Sequence, residues 1–418
     1  MAKQEEKKIL DIRLPEVLSL DAEAGSVATK IKAMLDKKKA LEASGKTLSE
    51  EDIGELRNGY TLIYSIANSI INKLLSASFT LNEDETRMLN TYKARAENFL
   101  AKSRLYGSAM RGIPSRTFDD IAGLDEVKEV VDSFVYMAEH PELLSHYNME
   151  GGLGLLMYGA PGTGKTMFAE AAANRMKLPL FVVTPADIYN SYVGQSEKAV
   201  RDIFDEMDNC RSGAVLFVDE CESIFSKRTG NDETWKSSVT TELLQRMNGF
   251  GRNGSRRVLL ASTNRPDKID PAYLRYKRFT NLVHVPPPDV NALRAIIEHK
   301  LRIGKPDEIE LHNISVEQIV EMTQAHPGYY YTGADISGII EEACRQAIDK
   351  MIKTRNESGK FLPLEREYFE RAFAKKYPSV SRALADQYEN FSKHIDSSEA
   401  IGEEKKASLA ELFHGGNN

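Results

Sequence analysis

From about Asp21 to Leu105 apolar residues recur at helical spacing, with no proline to interrupt them, which predicts two or three long helices packed as a small bundle over residues 21–106. Residues 1–20 are expected to be an N-terminal tail. Thr47 with Glu50, and Asn82 with Glu85, stand at the spacing of a capping box, in which each side chain satisfies a backbone donor at a helix start, so they are expected to open the second and third helices. The helical period fails where Gly107, Gly112, Pro114 and Ser115 cluster, and residues 107–117 read as a linker. After Phe118 the pattern changes to short apolar runs, Leu153 to Tyr158, Leu180 to Val183, Ala214 to Val218, Val258 to Ala261 and Leu282 to Val285, alternating with helical stretches. That alternation predicts a doubly wound α/β unit over 118–286, a parallel sheet with helices on both faces. Beyond Pro286-Pro287-Pro288 the chain reads as a smaller, all-helical unit over 287–396, followed by a polar tail over 397–418.

Composition narrows the classes. A chain of 418 residues, 41% hydrophobic and 28% charged, has the make-up of a folded globular protein with two or three domains. Its net charge of -7 supplies no overall field for nucleic acid or an anionic membrane. The three cysteines, Cys210, Cys221 and Cys344, are odd in number and far apart, which argues against a disulfide framework or a Cys-rich zinc site and suits a reducing compartment. No apolar run approaches a membrane span and the first residues lack the apolar core of a signal peptide, so a cytoplasmic protein is expected.

The candidate chemistry lies at the ends of the apolar runs. Gly159-Ala160-Pro161-Gly162-Thr163-Gly164-Lys165-Thr166 follows the first run and opens a helix, the context a phosphate-binding loop requires, and these residues with Met167 are the expected nucleotide contacts. Glycines let backbone N–H groups turn inward around phosphates, the helix N-terminus adds positive potential, Lys165 reaches the outer phosphates, and the Thr166 hydroxyl suits magnesium. Val215-Leu216-Phe217-Val218 ends in Asp219 and Glu220, at the strand edge where such folds bind ligands. Asp219 is expected to hold Mg2+ through its water shell, and Glu220 to orient and deprotonate the attacking water. A further strand runs into Ser262-Thr263-Asn264, where Asn264 can polarise that water; the plain alternative is an ordinary turn.

Taken together these segments resemble the AAA ATPase family over roughly Phe118 to Phe391. Phe118-Asp119-Asp120-Ile121-Ala122-Gly123 is similar to the family's adenine-side loop, with Ala122 where glycine is common, which implies nucleotide contacts at Asp120, Ile121 and Ala122. Thr332-Gly333-Ala334-Asp335 is similar to the lid signature and implies close backbone approach at Gly333 and Ala334. Arg275 and Arg278 resemble paired arginine fingers, which implies a homo-hexamer with sites completed in trans; otherwise they are two surface arginines. Tyr192 and Val193 stand where the family's first pore loop grips a polypeptide, against the alternative that Tyr192 packs in the core. A second pore-facing loop would fall around Arg228 to Trp235.

The closing stretch with Tyr368, Phe369, Ala372, Pro378 and Tyr388 to Phe391 looks like that of the family's meiotic branch. Tyr92-Lys93-Ala94-Arg95-Ala96-Glu97 resembles the third helix of the MIT domain that members of this branch use to recruit substrates. The resemblance implies ATP and Mg2+ as ligands and a ring ATPase that threads, unfolds or disassembles protein complexes, with ESCRT-III-like filaments the leading client. Microtubule severing and general protein unfolding remain alternatives. Tyr192 in place of a usual tryptophan, two residues between the finger arginines, and little room for a β-domain insertion between Lys350 and Leu364 are departures that bear on the client.

Overall fold

The computed structural model describes residues 12–44, 47–105, 108–147, 154–189, 195–210, 212–226, 257–270, 281–353 and 361–398, with a few isolated positions between 239 and 279. Three long helices come first: α1 (Pro15–Ala43), α2 (Glu50–Leu75) and α3 (Glu83–Leu105). The first starts ahead of the expected Asp21, because Pro15 sits in the opening turn, where its missing N–H costs nothing. Ser49, not Thr47, caps α2, accepting the Asp52 N–H. The Asn82–Glu85 box is present as expected, each side chain accepting the other's backbone N–H at 2.8 Å. Glu85 is fully buried and also clasped by Arg13, whose guanidinium holds the carboxyl down to about 2.

Helix α2 is buried on two sides. Its Leu56, Tyr60, Ile63, Ile66, Ile70 and Leu74 are nearly inaccessible, more than one stripe of an amphipathic helix supplies, because α2 lies between its bundle neighbours and the α/β unit. There it meets α8 (Gln195–Asp208). Glu206 of α8, 1% exposed, accepts hydrogen bonds from Thr61 of α2 at 2.5 Å and from Ser108, and faces Arg57, which also pairs with Asp202 at 3.2 Å. Burial pushes its carboxyl above the ordinary range against the pull of these partners.

The expected linker is not a free tether. Within it β1 (Met110–Gly112) adds antiparallel to the edge of the sheet against β3 (Leu180–Val183), and the Ile113 N–H donates to the Tyr64 hydroxyl at 2.8 Å. Gly112, at φ 80°, admits no side chain, since a Cβ would stand 2.6 Å from Leu100 and 2.7 Å from Tyr64.

The sheet order is β1-β3-β4-β5-β2-β6, where β2 is Gly154–Tyr158, β4 Ala214–Val218, β5 Arg257–Thr263 and β6 Asn281–His284. All pairs but β1–β3 are parallel, as expected of the central strands. Strand β5 runs through Ser262 and Thr263, which the sequence pattern had placed in a loop, because Tyr158↔Thr263 pairing with β2 carries it on. Alternate residues build two cores. Leu155, Met157, Phe217 and Leu260 pack under α4 (Asp125–Glu139) and α6 (Lys165–Met176), whose run Ala171-Ala172-Ala173 lets the helix approach closely, while the short α5 (Pro141–His146) and α7 (Pro185–Tyr189) follow α4 and β3. Leu156, Phe181, Leu216 and Leu259 form the opposite core, continuous with that of the bundle.

The C-terminal unit comprises α9 (Val290–Leu301), α10 (Val316–Thr323), α11 (Gly333–Lys353), α12 (Arg366–Lys375) and α13 (Arg382–Ser398). It is not all-helical: Leu311–His312 pairs with Leu364–Glu365, and Tyr329–Tyr330 with Val380–Ser381. The second ladder turns α13 back toward the sheet, where Tyr388 and Phe391 pack with Tyr158 and Ala160. Residues 399–418, most of the expected polar tail, lie outside the described residues. Among the described residues no helix is long and apolar enough to cross a membrane.

Thr61→Val keeps the side-chain shape but deprives the buried Glu206 of a donor, so urea denaturation should show a loss of about 1–3 kcal/mol; an unchanged midpoint would contradict a closed polar contact between α2 and α8.

Candidate functional site

Strand register gathers the candidate residues at one edge of the sheet. Pairing of Val218 with Ala261 sets Asp219 beside Ser262, and pairing of Tyr158 with Thr263 sets the glycine-rich loop beside Asn264. This is also where the sheet order reverses, with β5 and β6 on opposite sides of β2, the position at which open α/β sheets bind ligands.

The loop is folded tightly. Gly159 lies so close to β6 that a Cβ would stand 2.3 Å from the Val285 carbonyl oxygen, and Gly162, at φ 79°, would collide with Ala334 and Thr332. Ala160 is fully buried and Pro161 exposed, and the Thr163 hydroxyl donates to the Ala160 carbonyl at 3.0 Å. Gly164, at φ 99°, precedes the first turn of α6, and Met167 packs against the core beneath. Lys165 is only 7% exposed and donates to the carbonyls of Gly159 at 3.0 Å and Ala160 at 2.7 Å. Burial pushes its ammonium down to about 8, although Asp219 and Glu222 pull the other way.

Thr166 donates to Asp219 Oδ2 at 3.2 Å, so a hydroxyl and a carboxylate converge as hard oxygen donors. Among the described residues no group of three or more His, Cys, Asp or Glu could cage a metal. The Thr166 hydroxyl and Asp219 carboxylate suit a magnesium held otherwise by phosphates and water. Ser262, 1% exposed, donates to the other Asp219 oxygen. Glu220 follows, solvent-exposed and in the left-handed region at φ 50°, a conformation costly for a residue with a side chain and typical of functional sites. Among the described residues Asn264 Oδ1 and Glu222 Oε2 are buried acceptors with no protein donor, as expected where water or a ligand completes the hydrogen bonding.

The flanking segments divide. Gly333 and Ala334 open α11 directly against the loop, the Ala334 N–H donating to the Gly162 carbonyl at 3.3 Å, and Asp335 holds that turn through Thr332 and Ser379. On the other side Ile121 is buried in the core and Ala122 precedes Gly123, which abuts Ala292 of α9. The Asp120 carboxylate is turned to the Thr117 N–H at 2.8 Å and lies 3.6 Å from His299, so any nucleotide contact there falls to the backbone. Tyr192, Val193, Arg275, Arg278 and the stretch from Arg228 to Trp235 lie outside the described residues. Sequence reasoning missed Ser262 and Glu222 as site residues. Ser262 becomes legible only once β5 is known to lie beside β4, whereas Glu222 is signalled by a second carboxylate two residues past Glu220.

Residues 155–287 match the family AAA, the ATPase family associated with various cellular activities. Over these residues the α/β unit is an AAA domain. The chain is 32% identical over 359 residues to a cell division cycle protein 48 homolog from Archaeoglobus fulgidus, covering 81% of this chain and 48% of that protein. It is 34% identical over 240 residues to proteasome-activating nucleotidase 2 of Haloferax volcanii, covering 56% of this chain and 55% of that one. Among solved structures, the AAA domain of FIGL-1 is similar with a TM-score of 0.56 at 26% identity, covering 68% of this chain and 91% of that domain. The chain thus spans about half the length of these two curated relatives. ATP is the ligand expected of an AAA module, and the loop's geometry agrees with it.

A buried lysine near pH 8 fixes a sign. The ammonium attracts a triphosphate and the neutral amine does not, so ATP affinity should hold steady below about pH 8 and weaken above it, approaching about tenfold per pH unit. Calorimetric titration at about pH 7 and about pH 9 measures this, and equal affinities would contradict the buried-lysine geometry.

Proposed function

We propose that this chain is a Mg2+-dependent ATP hydrolase that assembles as a homo-hexamer and uses turnover to thread, unfold or disassemble protein complexes. The observation that carries the hydrolytic part is the convergence of Lys165, Thr166, Asp219, Glu220 and Asn264 on one strand edge, set by register. In this reading Gly159 to Thr166 cradle the phosphates, and Gly333 and Ala334 close the loop from the lid side. Thr166 and Asp219 hold the magnesium, which neutralises charge on the phosphate oxygens when bound. Glu220 takes the proton of the attacking water, and Asn264 orients that water. Arg275 and Arg278, supplied by the neighbouring subunit, would stabilise charge developing on the transferred phosphoryl group.

Two relatives are named for adjacent activities, a proteasome-activating nucleotidase and an ATP-dependent zinc metalloprotease, FtsH 3 of Symbiobacterium thermophilum, 35% identical over 232 residues. They support protein remodelling as the work done. For the client, the three-helix bundle and its MIT-like third helix favour ESCRT-III-like filaments, gripped in the pore by Tyr192 and Val193. In that helix Tyr92 and Ala96 face the bundle core, while Lys93, Ala94, Arg95 and Glu97 are exposed and open to a partner. Microtubule severing is the second reading, resting on the resemblance to the meiotic branch and on the basic residues Lys102, Arg104, Arg111 and Arg116 near the linker.

Glu220→Gln should bind ATP with near-normal affinity while hydrolysis falls by about 10²–10⁴-fold, the usual range for loss of a general base. The same variant should trap its client, and identification of what co-purifies tests the second part. Recovery of small helical filament proteins, lost when Lys93 and Arg95 are both changed to Glu in the full chain, supports the filament reading. Recovery of tubulin favours severing, and saturating filament protein that neither binds nor stimulates ATPase activity would sink the filament reading.

A further inference from the structure

Helix α13 is remote in sequence from the nucleotide edge, yet it returns to touch it. Tyr388, 2% exposed, donates its hydroxyl hydrogen to the backbone carbonyl of Asn264 at 2.7 Å. Burial raises that phenol to about 12, so it stays protonated and a donor across the physiological range. Its ring stacks on His284 with centroids 5.9 Å apart, His284 stacks on Tyr158 at 5.4 Å, and Phe391 meets Tyr158 edge-on at 5.2 Å. Tyr158 is the last residue of β2, directly before the phosphate loop. One aromatic stack thus ties α13 to the strand that launches the loop and, through the hydroxyl, to the turn that carries Asn264.

That turn is otherwise fixed on both sides of Asn264: upstream, the Gly159 N–H donates to the Thr263 carbonyl at 3.3 Å. The Arg265 N–H donates to Thr263 Oγ1 at 2.9 Å, and the Arg265 guanidinium grips Asp267 through two hydrogen bonds of 3.0 and 2.9 Å. Asn264 itself leaves the sheet after Thr263, and its side-chain oxygen is buried with no protein donor among the described residues. An amide that must present a polar atom to a water needs its backbone held, because a shift of an ångström there removes the alignment on which the step depends.

We infer that Tyr388 is a positioning residue for hydrolysis: by holding the Asn264 carbonyl it fixes the side-chain amide for the attacking water and makes catalysis depend on where α13 sits. This rests on the proposed role of Asn264. ATP binding draws on the phosphate loop and Lys165, whereas the Tyr388 hydroxyl donates to the Asn264 carbonyl, so affinity and turnover should separate.

Tyr388→Phe removes the hydroxyl and keeps the ring in its stack. In the full chain, kcat for ATP should fall by about 5- to 10-fold, the worth of one hydrogen bond felt in the transition state, with KM within about twofold and the melting temperature lowered by only about 2–4 °C, as for one buried hydrogen bond. Asn264→Ala should lower kcat further, and adding Tyr388→Phe to it should have no additional effect, because the group being positioned is gone. If Asn264→Ala leaves kcat intact, the role assigned to Asn264 is wrong and the inference falls with it. If Asn264→Ala lowers kcat but Tyr388→Phe does not, or if the two losses multiply, Tyr388 does not act through Asn264 and the inference alone is overturned. A Tyr388→Phe loss that appears equally in KM and melting temperature marks a structural contact and also overturns it.

Discussion

The parallel register of β2, β4 and β5 is the constraint on which the nucleotide edge rests. Successive residues of a strand face opposite ways, so a slip of one residue between β4 and β5 would turn Asp219 away from Ser262 and Thr166. What prevents the slip is burial on both faces. Val215 and Phe217 look into one core while Leu216 and Val218 look into the other, and each is essentially inaccessible. A register change would exchange two packed faces at once, which makes the alignment of polar groups at the strand ends a by-product of apolar packing in the strand middles.

The same packing supports local conformations that would not persist alone. Glu220 occupies a left-handed backbone conformation of the kind that costs about 1–3 kcal/mol, and Lys165 is a cation taken largely out of water. Neither is stable in isolation. Glu220 is held between a strand that ends at Val218 and a turn of 3-10 helix that starts at Cys221, while the loop's own carbonyls satisfy Lys165. A site organised before its ligand arrives loses less ordering entropy on binding, and the donors of Lys165 have only to exchange carbonyl oxygens for phosphate oxygens.

Much of this was legible in the sequence, because the signals were local. A glycine-rich segment between an apolar run and a helix, and an apolar run ending in Asp219 and Glu220, each carry their own context. What escaped depended on pairing across distance. Ser262 and Thr263 read as loop because hydroxyl residues favour turns, and only their neighbours in β2 and β4 make them strand. Met110 to Gly112 read as linker for the same reason: glycine and proline nearby signal a break, while the edge of β3 that recruits them lies far along the chain. Thr47 lost to Ser49 as the cap of α2 by two residues, the usual latitude of helix ends. The return of α13 could not be read at all, since Tyr388 and Phe391 fit the core of a lid helix as well as they fit Tyr158.

The position of the bundle has a mechanical consequence for the proposed function. A recruiting module on a free tether raises the local concentration of a client but transmits no force. Here α2 is buried against α8 through Thr61, Arg57 and Glu206, and Ser69 meets Ser212 at 3.0 Å at the foot of β4. Helix α8 begins at Gln195, directly after the segment that holds Tyr192 and Val193. A client held by the bundle would therefore sit on the body of the α/β unit, against α8. In that arrangement the capture surface packs on α8 through side chains, so the bundle is tied to the α/β unit by contacts and not by a linker alone.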